Sequence, residues 1–169
     1  MPTYTFIASN TVGSGGAASV TFSSIPATYT DLIIKISART TRSAIEDSIF
    51  LRFNGDSASN YVRKNIYGDG TSIVSGDGAY NSIDFYACGD TATANTFGNA
   101  EIIIPSYASA NNKSLSIDGV TENNATSTTT LFKSGIWNNT SAITTISFTP
   151  NVGTFKQYST FTLYGISNA

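Results

Sequence analysis

The chain has no histidine and a single cysteine among 169 residues, and these shortages remove several kinds of chemistry together. Without imidazole the usual general base for a serine or cysteine nucleophile is missing, and no Gly-x-Ser-x-Gly elbow stands in its place. Triad hydrolysis is therefore not expected, nor is a transition-metal site built from His and Cys. Cys88 has no second cysteine to join, so the fold is not stapled. Its place at the end of an alternating segment predicts a small, buried, apolar side chain. Charge is scarce too, with 9 basic and 11 acidic residues and a net charge of −2. The basic residues are scattered, Arg63-Lys64 being the densest pair, and this argues against nucleic acid as a partner. No apolar run approaches the roughly 20 residues that span a bilayer, so membrane insertion is not expected. The opening Met1-Pro-Thr-Tyr-Thr-Phe lacks the basic and apolar regions of a secretion signal, and synthesis in a cytoplasm is expected. No cofactor is implied.

What is present is β-forming. Ten Phe, nine Tyr and one Trp, set among abundant Ser, Thr and Asn, describe a protein whose wet faces are hydroxylic and amide rather than charged. The length suits one domain over 1–169, able to bury roughly 70% of its unfolded surface. The organising stretch is Asp31-Leu-Ile-Ile-Lys-Ile-Ser-Ala-Arg39. At period two it puts Leu32, Ile34, Ile36 and Ala38 on one face and Ile33, Lys35, Ser37 and Arg39 on the other, the pattern of a central strand. Before it, Pro26 biases Ile25 towards an extended conformation.

In chain order, Tyr4 to Ala8 and Ala17 to Ser24 alternate around the Gly-rich Asn10 to Gly16, which predicts an opening hairpin over 4–24. Ser48 to Phe53 carries Ile49, Leu51 and Phe53 inward and is broken by Asn54-Gly55. Asn60 to Tyr67 and Thr71 to Val74 form short strands, with Gly76-Asp77-Gly78 as a turn. Asn81 to Cys88 alternates again. Gly98 to Pro105 holds Ile102-Ile103-Ile104, which suggests a strand covered on both faces. Lys113 to Val120, Thr130 to Trp137, Ala142 to Phe148 and Ser159 to Ile166 complete the series. About ten strands without helical periodicity predict an all-β, single-domain antiparallel β-sandwich of jelly-roll type.

Three site chemistries remain to be weighed. Two of Asp56, Asp69, Asp77, Asp84, Glu101 and Asp118 could stand at glycosidase separation, although most lie beside Gly or in turns, where Asp serves the backbone. Asp69-Gly70 and Gly76-Asp77-Gly78 could offer oxygens to calcium, but their spacing fits no EF-hand or RTX repeat. Tyr61, Tyr67, Tyr80, Tyr86, Tyr107 and Trp137 could make a sugar-stacking platform, although for any single ring a place in the core or a subunit contact is the favoured expectation. Asn-x-Ser/Thr matches at Asn112, Asn124, Asn138 and Asn139 are expected by chance in so Asn- and Thr-rich a chain. Arg39, Arg42, Tyr107 and Trp137 are the interface candidates, because they flank loops and carry large or planar groups.

Three stretches, with Ile25-Pro26 to Leu32 ahead of them, also carry a resemblance. Leu51-Arg-Phe-Asn-Gly-Asp56 followed by Asn60-Tyr61, Gly135-Ile-Trp137 through Ser141-Ala-Ile143, and Ser159-Thr-Phe-Thr-Leu-Tyr-Gly-Ile166 occur in the same order in a family of tailed-bacteriophage virion proteins and tail-appendage modules, and the chain resembles that family from Tyr4 onward. The resemblance implies a jelly-roll sandwich on the outside of a virus particle, commonly a homotrimer, touching other virion proteins such as the major capsid protein. It brings no catalytic residues. No coiled-coil or collagen-like stalk precedes the sandwich, which favours a capsid decoration or cement subunit over a fibre shaft. The alternative is a tail-fibre or tail-tip adhesin that binds host surface glycan.

Overall fold

A computed structural model of the chain describes residues 1–68, 72–122 and 128–167. It is an antiparallel β-sandwich of jelly-roll type, with twelve strands and no helix among the described residues. The strands are β1 (Thr3–Thr11), β2 (Val20–Phe22), β3 (Asp31–Ala38), β4 (Glu46–Phe53), β5 (Tyr61–Gly68), β6 (Ile73–Tyr80), β7 (Ile83–Cys88), β8 (Gly98–Pro105), β9 (Lys113–Glu122), β10 (Thr128–Trp137), β11 (Ile146–Pro150) and β12 (Thr160–Ser167). Eight form one sheet in the order β1-β12-β3-β8-β9-β10-β5-β6, and four form the other in the order β2-β11-β4-β7.

Alternation sorts the side chains. In β3, Leu32, Ile34, Ile36 and Ala38 are buried, while Lys35 on the opposite face is exposed. The strand lies between β12 and β8. From the smaller sheet Ile49, Leu51 and Phe53 of β4, Phe85 of β7 and Phe148 of β11 join the same core. Each such side chain taken from water is worth about 1.5–3 kcal/mol. Phe148 sits at the centre, with ring centroids 5.1 Å from Phe161, 6.1 Å from Phe85 and 6.4 Å from Phe22. The two sheets are thus joined by aromatic contacts between their inner faces. Cys88 is buried.

Three strand expectations fail. The opening hairpin over 4–24 does not form, because β1 pairs with β12 and β2 pairs with β11 in the other sheet. The glycines between them carry the chain from one sheet to the other: Gly16 has φ +70° and the Ala17 amide bonds the Phe155 carbonyl. Gly76-Asp77-Gly78 is not a turn but the middle of β6, paired with Asn65, Lys64 and Arg63. Ile103 is not covered, since β8 buries Ile102 and Ile104 and leaves Ile103 on the outer face.

Candidate functional site

The motif residues converge on structural latches. Asn54 and Gly55 both have positive φ, as an Asn-Gly turn requires. The Asn54 amide oxygen accepts the Thr144 and Thr145 amides at 2.9 and 3.0 Å, and its nitrogen donates to the Ala142 carbonyl at 2.8 Å. Beside it the Asp56 carboxylate accepts Trp137 Nε1 at 2.7 Å, Asn60 Nδ2 at 2.9 Å and the Ala58 amide at 2.9 Å. Those donors hold the Asp56 carboxyl below its ordinary 3.8, the Asn60 bond being the largest cause. The Phe53 amide donates to the Tyr61 hydroxyl at 2.9 Å, and Tyr61 stacks on Trp137 with centroids 6.4 Å apart. Burial, above all, pushes the Tyr61 phenol up to about 12. At the same end of the sandwich the Ile143 amide donates to the Tyr107 carbonyl, the Tyr107 hydroxyl donates to the Pro26 carbonyl, and the Tyr29 ring lies against Gly165.

Three of the four interface candidates are therefore inside the protein, a correction to the sequence reading. Tyr107 and Trp137 are 0% and 1% exposed and Arg39 is 5% exposed. The Arg39 guanidinium donates to the carbonyls of Asp90, Ala92, Thr93 and Thr96 at 2.6–3.0 Å, clamping the loop between β7 and β8. Only Arg42 keeps a half-open side chain, 3.4 Å from the buried Asp47 carboxylate. Burial, as the largest cause, raises the Asp47 carboxyl above its ordinary value.

The aromatic platform is not assembled either. Tyr61, Tyr107 and Trp137 are core, Tyr67 meets Tyr86 edge-on, and Tyr80 lies under the Arg63 guanidinium at 3.6 Å. Asp84, between the sheets, pairs with Arg63 and accepts Lys133 Nζ at 2.7 Å. Burial, and then the neighbouring Arg63 charge, push the Lys133 ammonium down to about 7. Among the described residues no group of three His, Cys, Asp or Glu side chains is placed to hold a metal. The Asp69-Gly70 half of the calcium expectation lies outside the described residues, as does Asn124.

What stands open is the outer face of the eight-stranded sheet. Register sets Lys35, Glu101, Asp118, Phe132, Ile66 and Ser75 side by side across six strands. Ser116, Ser134, Lys64 and Asp77 make the adjacent row, and Ile136 opposite Val62 the next. Phe132 is 56%, Ile66 55% and Ile136 45% exposed, apolar side chains standing in water on neighbouring strands. The face encloses a groove of about 830 Å³ lined by Lys64, Asn65, Glu101, Asp118 and Phe132 among others. Lys35 pairs with Glu101, and Lys64 Nζ is 3.7 Å from Asp77. Glu101 and Asp118 are the one facing carboxylate pair among the described strand registers. A glycosidase acid needs a carboxyl shielded from water, whereas Asp118 is exposed and Glu101 is engaged by Lys35. Sequence reasoning missed this face because outward-pointing Phe132 and Ile66 look like core residues until register is known.

No family model matches the chain, and no curated protein matches it. Among solved structures, a galectin from Caenorhabditis elegans is similar over 95% of this chain and 96% of its own, at 9% identity and a TM-score of 0.37. A fructofuranosidase variant from Schwanniomyces occidentalis, complexed with fructosylnystose, is similar over 99% of this chain and 33% of its own, at 6% identity and a TM-score of 0.29. Values this low carry no argument about function.

Proposed function

We propose that this chain is a structural subunit of a bacteriophage particle, a decoration or cement protein that sits on the virion surface and works by holding neighbours, with no catalytic step. The observation that carries the reading is the open outer face, where Val62, Ile66, Ile103, Phe132 and Ile136 are each at least 38% exposed. An apolar patch of this kind, rimmed by polar residues, marks a contact surface. The resemblance of its sequence motifs to those of phage virion proteins supports the reading, and their polar residues serve internal latches rather than a reactive centre. The test is to locate the subunit in intact particles by electron microscopy and to measure rebinding of a Phe132→Lys variant to particles lacking it. We expect density on the capsid exterior and rebinding weakened roughly tenfold or more. Absence of the protein from purified particles would overturn the proposal.

A second reading, a tail adhesin for host glycan, is favoured by one feature of the same groove. An exposed ring, Phe132, shares it with the hydroxyls of Ser116 and Ser134 and the carboxylate of Asp118, the combination of apolar plane and hydrogen-bonding groups that suits a sugar. A glycan array with wild-type protein and Phe132→Ala separates the two; signal lost in the variant supports the adhesin.

A further inference from the structure

The two sheets have four edge strands, and three carry a device against further pairing. β2 is three residues long. β7 is buried along nearly its whole length. β6 carries a charge, Asp77, between Gly76 and Gly78. Natural sheets protect their edges by such means. β1 is the exception: its nine residues, Thr-Tyr-Thr-Phe-Ile-Ala-Ser-Asn-Thr, include no charge and no proline. A bulge at its midpoint, Ile7, leaves Thr3 to Phe6 in regular register.

The first half also presents two aromatics to water. Tyr4 and Phe6 are 62% and 59% exposed, and alternation puts them on one face. Phe6 packs edge-on against Tyr164, centroids 6.1 Å apart, and Tyr164 stands beside Ile33. An apolar row thus runs outward across β3 and β12 and stops in solvent at β1.

We infer that β1 is a self-pairing edge and that its occupant is a second copy of this chain, joined antiparallel about a two-fold axis at Thr5. Two-fold pairing brings identical segments together, so a segment without charge meets no like-charge repulsion. Centring on Thr5 sets Tyr4 opposite Phe6 of the second copy and Phe6 opposite its Tyr4. Two aromatic cross-strand pairs then cover rings that are otherwise wet, and the free backbone groups of Thr3 to Ile7 gain partners. Centring on Phe6 would instead set Thr5 against the bulged Ile7 and Tyr4 against Ala8, with no pairing of Tyr4 with Phe6. The inference deepens the reading of the chain as a subunit that holds neighbours, here by naming one neighbour. Any three-fold association would use a different surface.

The test is cysteine scanning in the full chain. Cys88 is buried and silent, so an introduced thiol reports alone. Under mild oxidation at high micromolar concentration, Thr5→Cys is expected to give a disulfide-linked dimer in much higher yield than Thr3→Cys or the exposed edge control Ser75→Cys. Phe6→Lys, on a solvent-facing position, is expected to fold normally by circular dichroism and to weaken dimerisation roughly tenfold or more in sedimentation. Equal cross-linking at Thr5 and Ser75, or a dimer untouched by Phe6→Lys, overturns the inference. Because the readout is pairing of the isolated protein, it is independent of whether the chain is found on a particle.

Discussion

At the scale of single residues, the polar side chains that stand out in the sequence serve the fold. Asp56 is the clearest, because one carboxylate ties β10 to the turn after β4 through Trp137 and Asn60. Asp56→Asn removes the charge from three bonds and is expected to cost about 1–3 kcal/mol in chemical denaturation, with Trp137 emission shifting as its indole loses the carboxylate. Its lowered pKa means that this stabilisation is present above 3.8 and is lost as pH falls through the folded-state value below it. Lys133 runs the other way. Its ammonium is depressed from 10.5 to about 7, so the folded protein releases that proton before the unfolded chain does. Stability is expected to rise between those two pH values and to stop rising above the upper one. Lys133→Met should flatten that slope and leave the protein at least as stable at neutral pH, since Asp84 keeps Arg63; a slope unchanged in the variant would refute the assignment.

At the scale of elements, glycines decide how closely strands and loops approach. A Cβ at Gly165 of β12 would overlap the Tyr29 ring, and one at Gly135 of β10 would meet only the end of the Ile83 side chain. The added methyl would meet the body of the Tyr29 ring, which is half-buried against the core, whereas an isoleucine end can turn. Gly165→Ala is therefore expected to destabilise by about 1–3 kcal/mol, and Gly135→Ala by clearly less, in parallel thermal melts. The same scale shows what could be read from the sequence. Strands β4, β9 and β10 were legible because one face is buried and the alternation is strict, and β7 because Ile83, Phe85 and Ala87 alternate with Asp84 and Tyr86 in sequence although nearly all of it is buried. Their neighbours were not, because alternation says nothing about which strand lies next to which. The glycines around Gly16 look the same whether they close a hairpin or cross between sheets, and those at Gly76 and Gly78 look like a turn although they lie in β6. Tyr107 and Trp137 look like surface anchors for a related reason. Being next to a loop in sequence does not decide whether a ring points into the sandwich.

At the scale of the whole molecule, the division of labour is between a filled interior and a wide outer sheet. Charges on that sheet are few and are mostly paired, Lys35 with Glu101 and Lys64 with Asp77. Contacts made there should depend on buried apolar area more than on steering. Under the proposed virion role, binding of the wild-type protein to particles is expected to survive a rise in salt that screens exposed charges, while Phe132→Lys stays weakened at every salt concentration. A steep loss of wild-type binding with salt would point to an electrostatic contact elsewhere.

The pairing of β1 with β12 has a consequence for how the protein is made. Thr3 lies against Ser167, so at roughly 5–20 residues per second the ribosome takes on the order of ten to thirty seconds to supply the first strand with its neighbour. β3 waits as long for one of its two flanks. During that interval Tyr4, Phe6 and one side of the central strand are held by a nascent chain that cannot yet close its sheet, and the growing polypeptide is then most in need of a chaperone.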